Sequence, residues 1–91
     1  MLAIEILEDW LREIGCTIVR SHIDVQKREQ LIVIDLGPLR QEKITVRGSK
    51  VHTSLFALKG LGAFTGDLCD PEFFDKLHKA IREHRRIMEE Y

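Results

Sequence analysis

The segment Leu31-Ile32-Val33-Ile34-Asp35-Leu36 constrains this chain of 91 residues more than any other. Gly37-Pro38 follows it, and proline, with a fixed φ and no N–H, ends a ladder; the segment therefore reads as a strand. Successive strand residues face opposite ways, so Leu31 and Val33 point to one side and Ile32, Ile34 and Leu36 to the other. An antiparallel strand with one wet face alternates apolar with polar. This one is apolar on both faces, so something must cover each. In a chain this short the cheapest second cover is another copy, and the expectation is a homodimer whose contact residues are Leu31, Val33, Ile32, Ile34 and Leu36.

Two amphipathic helices bracket the strands. From about Leu2 to Ile14, Ala3, Ile4, Ile6, Leu7, Trp10, Leu11 and Ile14 fall on one half of a helical wheel, and Glu5, Glu8, Asp9, Arg12 and Glu13 on the other. Gly15 stands where a left-handed C-terminal cap favours glycine. The second helix is announced by Asp70-Pro71-Glu72: an N-cap, a first-turn proline and an acid at the positive end of the dipole. It runs from Pro71 to about Glu90 with a stripe of Phe73, Phe74, Leu77, Ala80, Ile81, Ile87, Met88 and Tyr91.

Between the helices, Cys16 to Val25 is a strand ending at the polar tip Gln26-Lys27-Arg28-Glu29. Lys43–Arg47 and Lys50–Leu55 form a hairpin around Gly48-Ser49, with glycine first as a type II′ turn requires. Ile44, Val46, Val51, Thr53 and Leu55 share its apolar face. Residues 56–66 read as a glycine-containing connection. The expected fold is a single α+β domain over residues 1–91: a two-layer arrangement of a small antiparallel sheet, three to four strands, with the N-terminal and C-terminal helices packed on one face. The order α-β-β-β-α resembles that of double-stranded RNA-binding domains in architecture alone. Those domains open the second helix with a basic cluster, and this chain reads Asp70-Pro71-Glu72 there.

A formal net charge of −1 gives no global pull toward polyanions, but the charge is partitioned. Residues 37–66 hold Arg40, Lys43, Arg47, Lys50 and Lys59 against Glu42 alone. On the hairpin's polar face Lys43, Arg47, Lys50 and His52 project together, and Arg20 and His22 join them if the first strand's polar side faces the same way. Such a surface suits phosphates or an acidic protein segment. Equally, it is what the open face of a sheet must carry, since lysines on it discourage aggregation.

Sites of chemistry are sparse. Lys59-Gly60-Leu61-Gly62-Ala63-Phe64-Thr65-Gly66 has neither dinucleotide nor P-loop spacing, and Asp67, Asp70, Glu72 and Asp75 would repel a phosphate there; the glycines read instead as a crossing or a close backbone approach. No histidine pair has metal-ligand spacing, and no metal or cofactor is expected. His84 lies inside the second helix's apolar stripe, where a buried or interface histidine needs a partner, with the backbone, Asp35 or Tyr91 the candidates. Asp35, within an apolar strand, is the carboxylate most open to perturbation. Cys16 and Cys69 read as reduced, mostly buried thiols. With no basic leader and no apolar run of about 18 residues, the expected setting is cytoplasmic, without membrane insertion.

The leading functional expectation is a non-enzymatic, homodimeric protein-interaction module. The alternatives are binding of nucleic acid or another polyanion through Arg40, Lys43, Arg47 and Lys50 of the basic hairpin region, and a small enzyme with a site at the dimer seam drawing on His84, Asp35 or Cys69.

Overall fold

The amphipathic N-terminal segment forms α1 (Ala3–Glu13) in the computed structural model, which describes residues 3–37, 40–56 and 63–89. Its end is a Schellman motif: Gly15, at φ 89°, lets the Cys16 N–H reach Leu11 O at 2.9 Å and the Gly15 N–H reach Arg12 O at 3.1 Å. Five strands follow, β1 (Thr17–Asp24), β2 (Glu29–Asp35), β3 (Gln41–Arg47), β4 (Lys50–Phe56) and β5 (Ala63–Asp67), and then α2 (Phe73–Glu89). The strands lie in chain order as an antiparallel meander. Both helices cover one face of the sheet, giving the expected two-layer α+β domain. Ile4, Leu7 and Leu11 of α1 and Phe73, Leu77 and Ile81 of α2 meet Ile32, Ile34, Ile44, Val46, Val51 and Leu55 in one core cluster. Trp10 joins the helices, its ring 5.0 Å from that of Phe74 and 6.0 Å from that of His78.

The β3–β4 hairpin has the expected faces and the expected turn, with Gly48 at φ 61° and Ser49 on the ordinary side of the map. At the start of α2, Asp70 Oδ1 accepts the Glu72 N–H at 2.9 Å, and Oδ2 pairs with Lys76 Nζ at 2.8 Å. Glycine-rich sequence hides β5. Gly66 pairs with Val51 of β4, and a Cβ there would lie 2.8 Å from two ring carbons of Phe73. The residue that reads as a loop former is required where sheet backbone touches α2, which is the close approach anticipated for this stretch. Pro38, Lys59 to Gly62 and Tyr91, which entered the sequence reading, lie outside the described residues.

The enclosure of β2 differs from expectation. Ile32 and Ile34 are fully buried beneath the helices, and Leu36 packs against the same cluster. On the other face Val33 is only 2% exposed. Its cross-strand neighbours are Arg20 on β1 and Lys43 on β3, and the aliphatic stems of such side chains cover apolar surface while their charged heads stay in water. Leu31, between His22 and Thr45, remains half-buried. At Val33 the cover that the sequence assigned to a second copy is supplied within the chain, while Leu31 on the same face stays partly open. Of the five expected contact residues, Ile32, Val33 and Ile34 are unavailable for contact.

The Gly66→Ala variant is expected to lose about 1–3 kcal/mol of stability, because its new methyl must displace the Phe73 ring. Urea unfolding of the two proteins measures this; an unchanged midpoint would show that the β5–α2 contact yields freely.

Candidate functional site

Cross-strand register decides which of the expected cations stand together. Arg20, His22, Lys43, Arg47, Lys50 and His52 all lie on the sheet face away from the helices, with His22, Leu31, Thr45, His52 and Thr65 forming one row across the five strands. Two of these cations are neutralised locally. Arg47 pairs with Glu29 at 2.5 Å and Lys50 with Asp67 at 2.7 Å. Among the described residues, Arg20 and Lys43 have no ion-pair partner, and they flank Val33. Arg40 does not join the group. It precedes β3 and lines a recess of about 130 Å³ on the helix side, with Leu36, Arg85 and Met88. It shares the parity of Glu42, which points toward α2.

The Lys50–Asp67 pair has a marked electrostatic signature. The hydrogen bond from Lys50, then the bond from the Cys69 N–H, hold the Asp67 carboxyl down from its usual 3.8 to about 2. The same bond pushes Lys50 up. Asp70 is likewise lowered, first by Lys76 and then by the Glu72 N–H.

A second constellation ties α2 to the sheet. His84 is buried, and its Nε2 lies 2.9 Å from Glu42 Oε1 in a hydrogen bond to the carboxylate. The other Glu42 oxygen accepts from the Ser54 hydroxyl, which itself accepts the Lys43 N–H at 2.8 Å. Serine, glutamate and histidine are thus in contact, but with the carboxylate in the middle. A hydrolase arrangement needs the imidazole between hydroxyl and acid, so this set fixes position rather than activating a nucleophile. The sequence reading offered the backbone, Asp35 or Tyr91 as partners of His84; Tyr91 lies outside the described residues, and Glu42 is a partner that reading did not name. The signal was available: carrying the alternation of Ile44 and Val46 back one step puts Glu42 on the helix side. Among the described residues no buried side-chain nitrogen or oxygen lacks a partner.

The remaining candidates are dispersed. Asp35 Oδ1 accepts the Gly37 N–H at 3.0 Å and so shapes the turn after β2. Cys69 is exposed on the turn before α2, contrary to the expectation of burial, whereas Cys16 sits in the core, where burial pushes its thiol up. Both are free. Among the described residues no group of three or more His, Cys, Asp or Glu is placed to hold a metal ion, and no helix is long and apolar enough to cross a membrane.

Sequence reasoning missed the edge of the sheet. β1 is an outermost strand, exposed along most of its length. Val19 is 47% exposed, Ile23 55%, and Val25, just past the strand, 81%. Ile23 and Val25 border a shallow groove of about 450 Å³ with Gln30, Val46 and Gly48 on the side the helices occupy. Its signal is topological: nothing in residues 17–25 says that no strand will lie beyond them.

Two outcomes follow for the polar pairs. The Asp67 carboxyl should titrate near pH 2 by NMR, and Lys50→Met should return it toward 3.8. Because the folded value lies below the ordinary one, the contribution of this pair to stability is complete above about pH 4 and declines as the pH falls toward 2. Glu42→Ala should cost about 1–3 kcal/mol in urea unfolding by removing the acceptor at Nε2 of the buried His84, while Glu42→Gln, which keeps an acceptor, should cost less; equal stability of all three proteins would show that the bond contributes nothing.

Compared with protein-family models, curated proteins and solved structures, the chain matches none.

Proposed function

We propose that this chain is a non-enzymatic interaction module that works as a homodimer, meeting its partner through the open edge of its sheet. The observation that carries this reading is the exposure of Val19, Ile23 and Val25 on or beside an edge strand. An edge presents unpaired N–H and C=O groups, and natural sheets blunt such edges with charge, proline or bulges. Here a bulge falls between Ile18 and Arg20, yet the strand beyond it pairs regularly to Asp24. Strand addition at such an edge supplies main-chain hydrogen bonds and seats alternate side chains. The argument for a partner therefore moves from the face of β2, where the chain itself buries Val33, to the side of β1.

Polyanion binding is the second reading, and Arg20 and Lys43 support it. The pairing of Arg47 with Glu29 and of Lys50 with Asp67 weighs against it, as does the placement of Arg40 on the other side of the sheet. An enzymatic reading has less support still: His84 is engaged by Glu42, Asp35 by a turn N–H, and Cys69 stands on a separate turn.

Light scattering at micromolar concentrations should give twice the 10.6 kDa of one chain. The mass of a single chain at those concentrations would overturn the dimer.

A further inference from the structure

The bounds of β1 and its charges point to the same self-pairing. Regular pairing with β2 runs from Arg20 to Asp24. Upstream it is interrupted by the bulge at Val19, and downstream the chain turns at Val25. The middle of this regular stretch is His22. Two copies laid antiparallel edge to edge overlap along all of it only when the two His22 residues face one another. Side-chain alternation then keeps the helices of both copies on the same side of a continuous sheet.

That register also sets opposite charges across from one another. Arg20 and Asp24 both lie on the face away from the helices, on either side of His22. Among the described residues neither has an ion-pair partner within its own chain. In the central register Arg20 stands opposite the partner's Asp24, and two-fold symmetry repeats the pair. Ile23 stands opposite the partner's Ser21. Sliding by two residues one way brings Arg20 opposite the partner's His22, and by four brings it opposite the partner's Arg20. Like charges directly opposite are destabilising, so only the central register gains from both length and charge.

We propose that two copies of this chain pair antiparallel along β1, with His22 at the two-fold axis and Arg20 facing the partner's Asp24. This rests on the homodimer reading above and specifies its surface. Mutual covering of Ile23 and the neighbouring valines adds apolar burial at the same seam.

The test uses charge reversal, read by light scattering or sedimentation. Arg20→Asp leaves two acids on the edge and Asp24→Arg leaves two bases, so each variant alone should self-associate roughly tenfold or more weakly than wild type. Mixed together they should form a heterodimer, and the Arg20→Asp/Asp24→Arg double variant should dimerise again. Because Asp24 Oδ1 also accepts the Lys27 N–H at 3.1 Å, a cysteine pair provides a reading that leaves these charges intact. In a Cys69→Ser background, His22→Cys should oxidise to a cross-linked dimer, since directly opposed residues lie about 4.5–5.5 Å apart at Cα; Ile23→Cys, out of register with itself, should not. A monomeric wild type overturns this proposal and the homodimer reading together. A dimeric wild type whose charge variants remain dimeric, or one that cross-links equally at positions 22 and 23, overturns the β1 pairing and leaves the dimer to another surface.

Discussion

Two helices can cover one face of a five-stranded sheet, and β2 carries apolar side chains on both. How the second face of β2 is closed is the constraint on which the rest of this structure depends. Ile32 and Ile34 go under α1 and α2 with the main cluster. Val33 is closed by what lies beside it, Arg20 and Lys43 on the adjoining strands. Full burial of a valine is favourable by about 1.5–3 kcal/mol, and the aliphatic stems of flanking arginine and lysine side chains are long enough to cover one without a third layer. The local excess of positive charge on this face thus has a packing reason. Side chains of this kind keep their heads in water while their stems shield the apolar residue between them.

The position of α2 over the sheet is set by two dissimilar contacts. Near β5 the backbone at Gly66 approaches the Phe73 ring so closely that no side chain fits between them. Near the other end His84 reaches Glu42 at the start of β3. The first contact fixes depth, because packed cores resist even small changes in volume. The second fixes where α2 lies along the sheet, because a buried imidazole pays for misplacement with a lost hydrogen bond. An apolar stripe alone would let the helix slide among near-equivalent packings; one directional bond removes that freedom.

Local chemistry explains which parts of this fold were legible in the sequence. The α1 helix, the Gly15 cap, the Gly48-Ser49 turn with both hairpin faces, and the Asp70 cap are each determined within a few residues and appear as read, except that Ile6, on the apolar half of the α1 wheel, is 46% exposed. The features that escaped depend on neighbours distant in sequence. β5 is short, and its glycine looks like a breaker until Phe73 is placed above it. Glu42, which meets the buried His84, lies 42 positions away from it. The closure of Val33 requires knowing that Arg20 and Lys43 flank it, which is register rather than composition. Arg40 was grouped with the hairpin because it is near in sequence, while its parity sends it to the opposite side.

The same distinction bears on the edge of β1. A meander that does not close into a barrel must end in two outer strands, so the question is how an edge is managed rather than whether one exists. In β1 the bulge at Val19 twists away the beginning of the strand, and the turn at Val25 limits its far end, leaving a short regular segment. A foreign strand would find few ladder positions there, with Arg20 and Asp24 of opposite sign to satisfy at fixed spacing. A second copy meets that demand by symmetry, since the sequence that sets the requirement also fulfils it. The features that protect β1 from indiscriminate pairing are therefore the ones that make it specific for itself.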